Sequence, residues 1–255
     1  MTDEWEGTWG DESRWREAID AGVATEPDRR FTLSRRSMLI LFGAFLVALG
    51  GLVATSRDGD DGPAYAFNVL ADDGVTPLGF DPCVRIGIVV NPRTGPPNAV
   101  ALVERAVERV AEVSGLDLVV RGSEDVAPKI GRDRPARPRR GAVLVAWSDP
   151  DEVPDLAGGT LGVAQVSHWT REDMRRFAYG NIALDGPHLA SISEPRVVGV
   201  IMHELAHLLG LDHVDDPGEL MYPHAVNSDF GPGDRIGLRT LAALPCAGGR
   251  QRSTP

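Results

Sequence analysis

The chain has 255 residues, 42% of them hydrophobic and 25% charged, enough for one sizeable domain with its own core and for accessory segments beside it. A formal net charge of −11 argues against a nucleic-acid partner, because an acidic surface repels phosphates. The two cysteines, Cys83 and Cys246, flank almost all of the globular part, so whether they are buried thiols or a bridge depends on the compartment that holds the domain.

Residues 1–36 read as a disordered cytoplasmic tail, polar and acidic, with Trp5, Trp9 and Trp15 but no sustained apolar period. Residues 37–56 carry no charge and no polar face, and as a helix they would extend roughly 30 Å, the thickness of a hydrocarbon core. Arg29, Arg30, Arg35 and Arg36 precede this run, and Arg57, Asp58, Asp60 and Asp61 follow it. The positive-inside rule then keeps the N-terminus in the cytoplasm and sends residues 57–255 outside. Two readings stay open: a single-pass anchor, or a cleaved export signal, since "SRRSMLI" resembles a twin-arginine signal. The anchor is favoured, because the apolar run is longer than a usual signal core and "AYA" at 64–66 lies far downstream.

After a linker at 57–79, residues 80–248 read as the domain and 249–255 as a tail. "CVRIGIVVN" (83–91) is a β-branched run stopped by Pro92, a strand. In residues 96–115, Val100, Val103, Val107 and Val110 recur at helical spacing and Gly115 closes the helix. Residues 116–121 form a second strand, 127–141 a basic proline-rich loop, and 142–148 a third strand. A turn-rich loop at 148–159 leads to short strands at 160–169 and 181–186. A central helix at 195–210, with Ser193 as its N-cap, and a last helix from about Asp234 complete the order. The expected class is α+β: a mixed, twisted sheet of about five strands packed by three helices.

The central helix ends in "HELAHLLGLDH" (203–213). Residues four apart share a helical face, so His203 and His207 can hold one metal ion from the same side. Gly210 lets the chain turn back and bring His213 in as the third ligand. Three neutral imidazoles leave a fourth tetrahedral position open, as in catalytic zinc, and Glu204 is placed to take a proton from water there.

This stretch, followed by "ELMYP" (219–223), resembles the metzincin metalloproteases, and the matrixin branch most closely. By that resemblance Met221, eight residues after His213, is the Met-turn beneath the ligands. "LAGGTLGVA" (156–164) looks like the matrixin edge strand to which substrate backbone adds, and "GDRIGLRTL" (233–241) like the final helix, so the likeness spans roughly residues 80–245. It implies a zinc endopeptidase acting on protein or peptide substrates, with apolar residues around "ELMYP" lining the substrate pocket. Two departures stand out. There is no "PRCGxPD" segment, and the 148–159 loop lacks the histidines of the family's second zinc site. One zinc is therefore expected, and His168, His188 and His224 are read as surface or structural histidines. Asp155 precedes "LAGG" much as an aspartate precedes the matching matrixin glycines, and Asp185 ends a strand that could meet it; their oxygens would suit calcium, though the favoured reading is turn aspartates that need no ion. An extracytoplasmic domain predicts a Cys83–Cys246 disulfide; the competing idea is that Cys83 caps the zinc as a latency thiol. Two other functions compete with the peptidase: a membrane-anchored sensor, which would not need Glu204, and an amidase acting on cell-wall peptide.

Overall fold

A computed structural model describes residues 62–131, 134–171, 174–224 and 227–247. The expected tails at 1–36 and 249–255 and the expected membrane segment at 37–56 lie outside these residues. Among the described residues no helix is long and apolar enough to cross a membrane.

The domain is α+β, built on a five-stranded mixed sheet. Its elements in chain order are β1 (Ala66–Phe67), β2 (Ile86–Asn91), α1 (Ala99–Ser114), β3 (Leu118–Ser123), β4 (Val143–Ser148), β5 (Gly162–Arg171), β6 (Met174–Asp185), α2 (Gly186–Leu189), α3 (Glu194–Leu209), β7 (Leu211–Asp212) and α4 (Pro232–Ala242). The sheet order is β3-β2-β4-β6-β5; all pairs are parallel except the β5–β6 hairpin, which is antiparallel. Every residue of β2 and β4 is buried, as expected of central parallel strands covered on both faces.

The alternation along these strands sorts the two faces. Ile88, Val90, Val143, Val145, Ile182 and Leu184 point into the main core with α1 and α3. Val89, Leu144 and Ala146 point the other way, onto Val126, just before the basic loop, and Ala136 within it. Buried amides pin that loop down. Asn181 Oδ1 accepts from the backbone N–H groups of Lys129 (2.9 Å) and Ala136 (2.7 Å), and its Nδ2 donates to the Ala136 carbonyl. Asn91 donates to the Val126 carbonyl and Gln165 to that of Gly131. The proline-rich loop thus supplies the second cover of the sheet, and the strand amides satisfy backbone groups that water cannot reach.

In α1 the stripe Leu102, Val103, Ala106, Val107, Val110 and Val113 is buried, and Gly115 (φ 75°) closes the helix with its N–H on the Ala111 carbonyl. Val100 is only half-buried. The sequence reading differs elsewhere. The first strand begins at Ile86, so Cys83 lies ahead of it; the second shifts to Leu118–Ser123; and α4 starts at Pro232. Strand β6 is twice as long as expected, 12 residues, because its partner β5 continues well past the core and pairing does not require an apolar pattern there. The four-residue α2 was not anticipated.

Most of the expected linker at 57–79 belongs to the fold. Ala66 and Phe67 pair with Asp212 and Leu211, Asn68 N–H donates to the Gly210 carbonyl, and Leu78 is buried. Gly233 lets this segment pass: a Cβ there would lie 1.9 Å from the Ala64 oxygen. Two backbone-paired residues have no side-chain period, which is why the sequence left them in a linker.

Cys83 and Cys246 are disulfide-bonded, with Cα atoms 5.5 Å apart across a sequence separation of 163. No free cysteine remains, so Cys83 has no thiol with which to cap a metal. The bridge joins the chain ahead of β2 to the segment after α4. Chain entropy for so long a loop predicts that Cys83→Ser/Cys246→Ser loses up to about 5 kcal/mol of stability, read by denaturant unfolding. Unchanged stability, or two alkylatable thiols in exported, unreduced protein, would contradict the bridge.

Candidate metal centre

Helix α3 runs through the core: from Val197 to Leu209 every residue except Val198 is buried. Ser193 occupies the N-cap with its carbonyl accepting from Arg196 and Val197, although its hydroxyl makes no capping bond. At the far end Gly210 (φ 132°) accepts the turn that α3 needs, and a Cβ there would meet the Leu78 oxygen at 2.7 Å. The chain then enters β7 and returns His213 over the last turn of the helix, where Asp212 Oδ1 accepts from the His213 N–H at 2.8 Å.

Three imidazoles converge as a result. The Nε2 of His207 lies 3.0 Å from that of His203 and 3.0 Å from that of His213, and the remaining pair is 3.1 Å apart. His203 Nδ1 is 2.7 Å from the Leu220 carbonyl and His207 Nδ1 is 2.9 Å from the Leu211 carbonyl. A carbonyl only accepts, so each Nδ1 carries the proton and each Nε2 presents a lone pair. Burial, helped by the neighbouring ring, pushes all three histidines down to about 3, so they are neutral. Lone pairs facing one another at 3 Å in a buried site repel unless a Lewis acid sits among them. An all-imidazole donor set, oriented by backbone carbonyls, fits zinc with one coordination position left open.

Glu204 points beside this cluster and is buried, which pushes its carboxyl up to about 8; a bound dication acts in the opposite direction. It packs against the start of β5: a Cβ on Gly162 would lie 2.7 Å from its Cγ and 3.0 Å from its Oε1. A cavity of about 370 Å³ opens here, with Leu161 and Gly162 of the edge strand on one side and Val200, His203 and Leu220 on the other.

Met221 is buried in the turn after Leu220, and its carbonyl accepts from Val214 N–H, one residue past His213. Two acids that the sequence reading missed hold this turn. Asp234, fully buried, accepts from the N–H groups of Leu220 (2.6 Å), Gly231 (2.9 Å) and Met221 (3.3 Å). Glu219 accepts from Gly233 and Asp234, both at 2.9 Å. Burial and the nearby Glu219 push Asp234 up to about 6, against its backbone donors. Since Leu220 also holds His203, Asp234 reaches the metal ligands through one residue of backbone. Nothing in the sequence separates these acids from the turn acids around them; only their burial does.

The aspartates suggested for calcium lie apart. Asp185 caps α2, accepting from His188 N–H at 3.0 Å, and Asp155 sits half-buried in the 3-10 turn Pro154–Leu156. Neither joins a cluster of three metal-binding side chains; among the described residues those clusters are the histidine trio and Asp81 with the bonded Cys83 and Cys246. His168 contacts Arg175, while His188 and His224 line the cavity.

Residues 151–234 match the family model of Matrixin. That stretch is a matrixin domain. It runs from the loop before β5 through the histidines and the Met-turn to Asp234, and β2, β3 and β4 complete its sheet from outside the matched residues. Archaemetzincin from Methanopyrus kandleri is similar over 62% of this chain and 95% of its own, at 16% identity and a TM-score of 0.36. No curated protein matches the sequence. With its histidine triad, the matrixin domain makes the chain a zinc metalloendopeptidase.

Alanine at His203, His207 or His213 is expected to weaken zinc retention beyond the roughly 10–100-fold typical of losing an outer-shell partner, measured by metal analysis after dialysis. Full zinc content in His213→Ala would remove it from the ligand set. Asp234→Asn should cost about 2–4 kcal/mol in denaturant unfolding, because an amide N–H₂ then faces backbone N–H groups. A change below about 0.5 kcal/mol would show that the turn does not depend on it.

Proposed function

We propose that this chain is a membrane-tethered endopeptidase that cleaves extended segments of protein substrates outside the cytoplasm. The observation that carries the reading is the convergence of three imidazole Nε2 atoms next to a buried carboxylate, at the open edge of a sheet. Among the described residues strand β5 ends the sheet, pairing only with β6, so its outer edge offers backbone groups to an extended peptide. A peptide added there runs past Gly162, which brings its carbonyl carbon close to Glu204.

His203, His207 and His213 would hold zinc through Nε2. Zinc bound there lowers the pKa of water and polarises a carbonyl. Glu204 takes the proton of the attacking water and passes it to the leaving amine. Gly162 matters because any side chain at that position would displace the Glu204 carboxylate.

The location rests on the 37–56 segment, with the bridged cysteines as independent support, since such bonds persist in oxidising compartments. Tethering without cleavage is favoured by the packing of Tyr65 and Ala66. A cut after Ala66 would remove half of β1 and release the Tyr65 ring from Phe67, 5.7 Å away between centroids.

The test is digestion of a peptide library by the full-length protein in detergent, with and without a chelator. Glu204→Gln is expected to keep zinc and lose about 10²–10⁴-fold in turnover. Cleavage by this variant within tenfold of wild type would defeat the assigned base.

A further inference from the structure

The cavity beside His203 and Glu204 holds a charge that the hydrolytic step does not use. Along α3, Arg196, Val200 and His203 follow one another at i, i+4 and i+7 and share a face. The Arg196 backbone therefore stands about 10 Å from that of His203, toward the start of the helix. Arg196 lines the same cavity as His203 and Glu204, and between them the walls are apolar: Ile192, Val200 and Leu220.

Arg196 is exposed and has no side-chain partner among the described residues. Two nearby carboxylates outside the cavity, Glu194 and Asp229, are already taken. Glu194 accepts from Arg105 (2.8 Å) and Asn98 (2.6 Å). Asp229 accepts from Nε and Nη2 of Arg109, at 2.9 and 2.7 Å, and from Arg235 at 3.2 Å. Among the described residues, the only acid lining the cavity is Glu204, at its opposite end. In a chain of net charge −11, a substrate pocket with an unpaired cation and no acid except the general base has the reverse of the surrounding sign.

We propose that Arg196 makes this peptidase select glutamate at the substrate position beside the scissile bond whose side chain enters the cavity. The inference rests on the peptidase reading above. The methylenes of glutamate lie along Val200, Leu220 and Ile192, and its carboxylate meets the guanidinium, which offers paired donors to a planar carboxylate. Filling the cavity expels water and strengthens that pairing, whereas a lysine brought to the same place faces a like charge. A free chain terminus would offer the same carboxylate chemistry, so substrates capped at both ends separate the two sources.

The experiment uses the full-length, zinc-loaded protein in detergent with doubly capped peptides. These differ only at one position flanking the cleaved bond, filled by Glu, Gln, Leu or Lys, with a series for each flank. A charge-assisted contact predicts that Glu exceeds Gln by about 10–100-fold in kcat/KM at one flank. Arg196→Gln should bring that ratio near unity, and Arg196→Glu should invert the preference toward Lys. Wild-type cleavage of the Glu and Leu peptides at equal rates, or a Glu preference that survives in Arg196→Gln, would overturn the proposal while leaving the peptidase reading intact. Carboxylate selectivity confined to uncapped peptides would also overturn it, assigning Arg196 to a chain terminus. Failure of zinc-loaded wild type to cleave any peptide in a broad library would instead defeat the peptidase reading itself.

Discussion

Three neutral imidazole Nε2 atoms brought to within about 3 Å of one another in a buried site cost energy unless a cation sits among them, and much of this domain exists to hold them there. Two of the rings are locked by backbone carbonyls from different directions, Leu211 just past the helix and Leu220 from the Met-turn. The third arrives because Gly210 bends the chain where no side chain would fit against Leu78. Asn68 adds a further tie: its Nδ2 donates to the His207 carbonyl at 2.8 Å, so the segment ahead of the sheet also braces the end of the ligand helix.

The same economy shows in the acids. An acidic chain places most carboxylates at the surface, yet it buries Glu219 and Asp234 completely and gives each of them backbone N–H donors. Their work is to stitch the Met-turn to the start of α4, two segments without regular pairing between them. Loss of either would leave buried donors unpartnered directly behind the carbonyl that orients His203.

The sheet separates scaffold from site. Its parallel centre is apolar on both faces and rigid, with helices on one side and a proline-rich loop pinned by Asn91, Gln165 and Asn181 on the other. Function gathers at the one antiparallel edge, where β5 offers an unpaired border beside Glu204 and the cavity. Parallel central strands have no free edge to offer, so a substrate strand can add only at the margins.

The sequence by itself determined whatever is encoded within a few residues. The histidines at 203 and 207, the glutamate beside them and the glycine turn to His213 were legible, because helical spacing and one positive-φ turn convert directly into geometry, while the methionine eight residues on was legible only through the family resemblance. The buried stripe of α1 and its closing Gly115 were legible for the same reason. The Cys83–Cys246 pairing followed from compartment and from there being no third cysteine. Tertiary structure alone decided the rest. It inserted β6 between β4 and β5, folded residues 64–79 onto α4, chose Glu219 and Asp234 from many acids to be buried, and, among the described residues, left Arg196 without a side-chain partner while Arg105, Arg109 and Arg235 found theirs. Each of these depends on contacts between residues far apart in the chain, made by backbone groups or by charges whose types recur throughout it. A local pattern carries the period of an element, but it carries no record of which distant group will stand opposite.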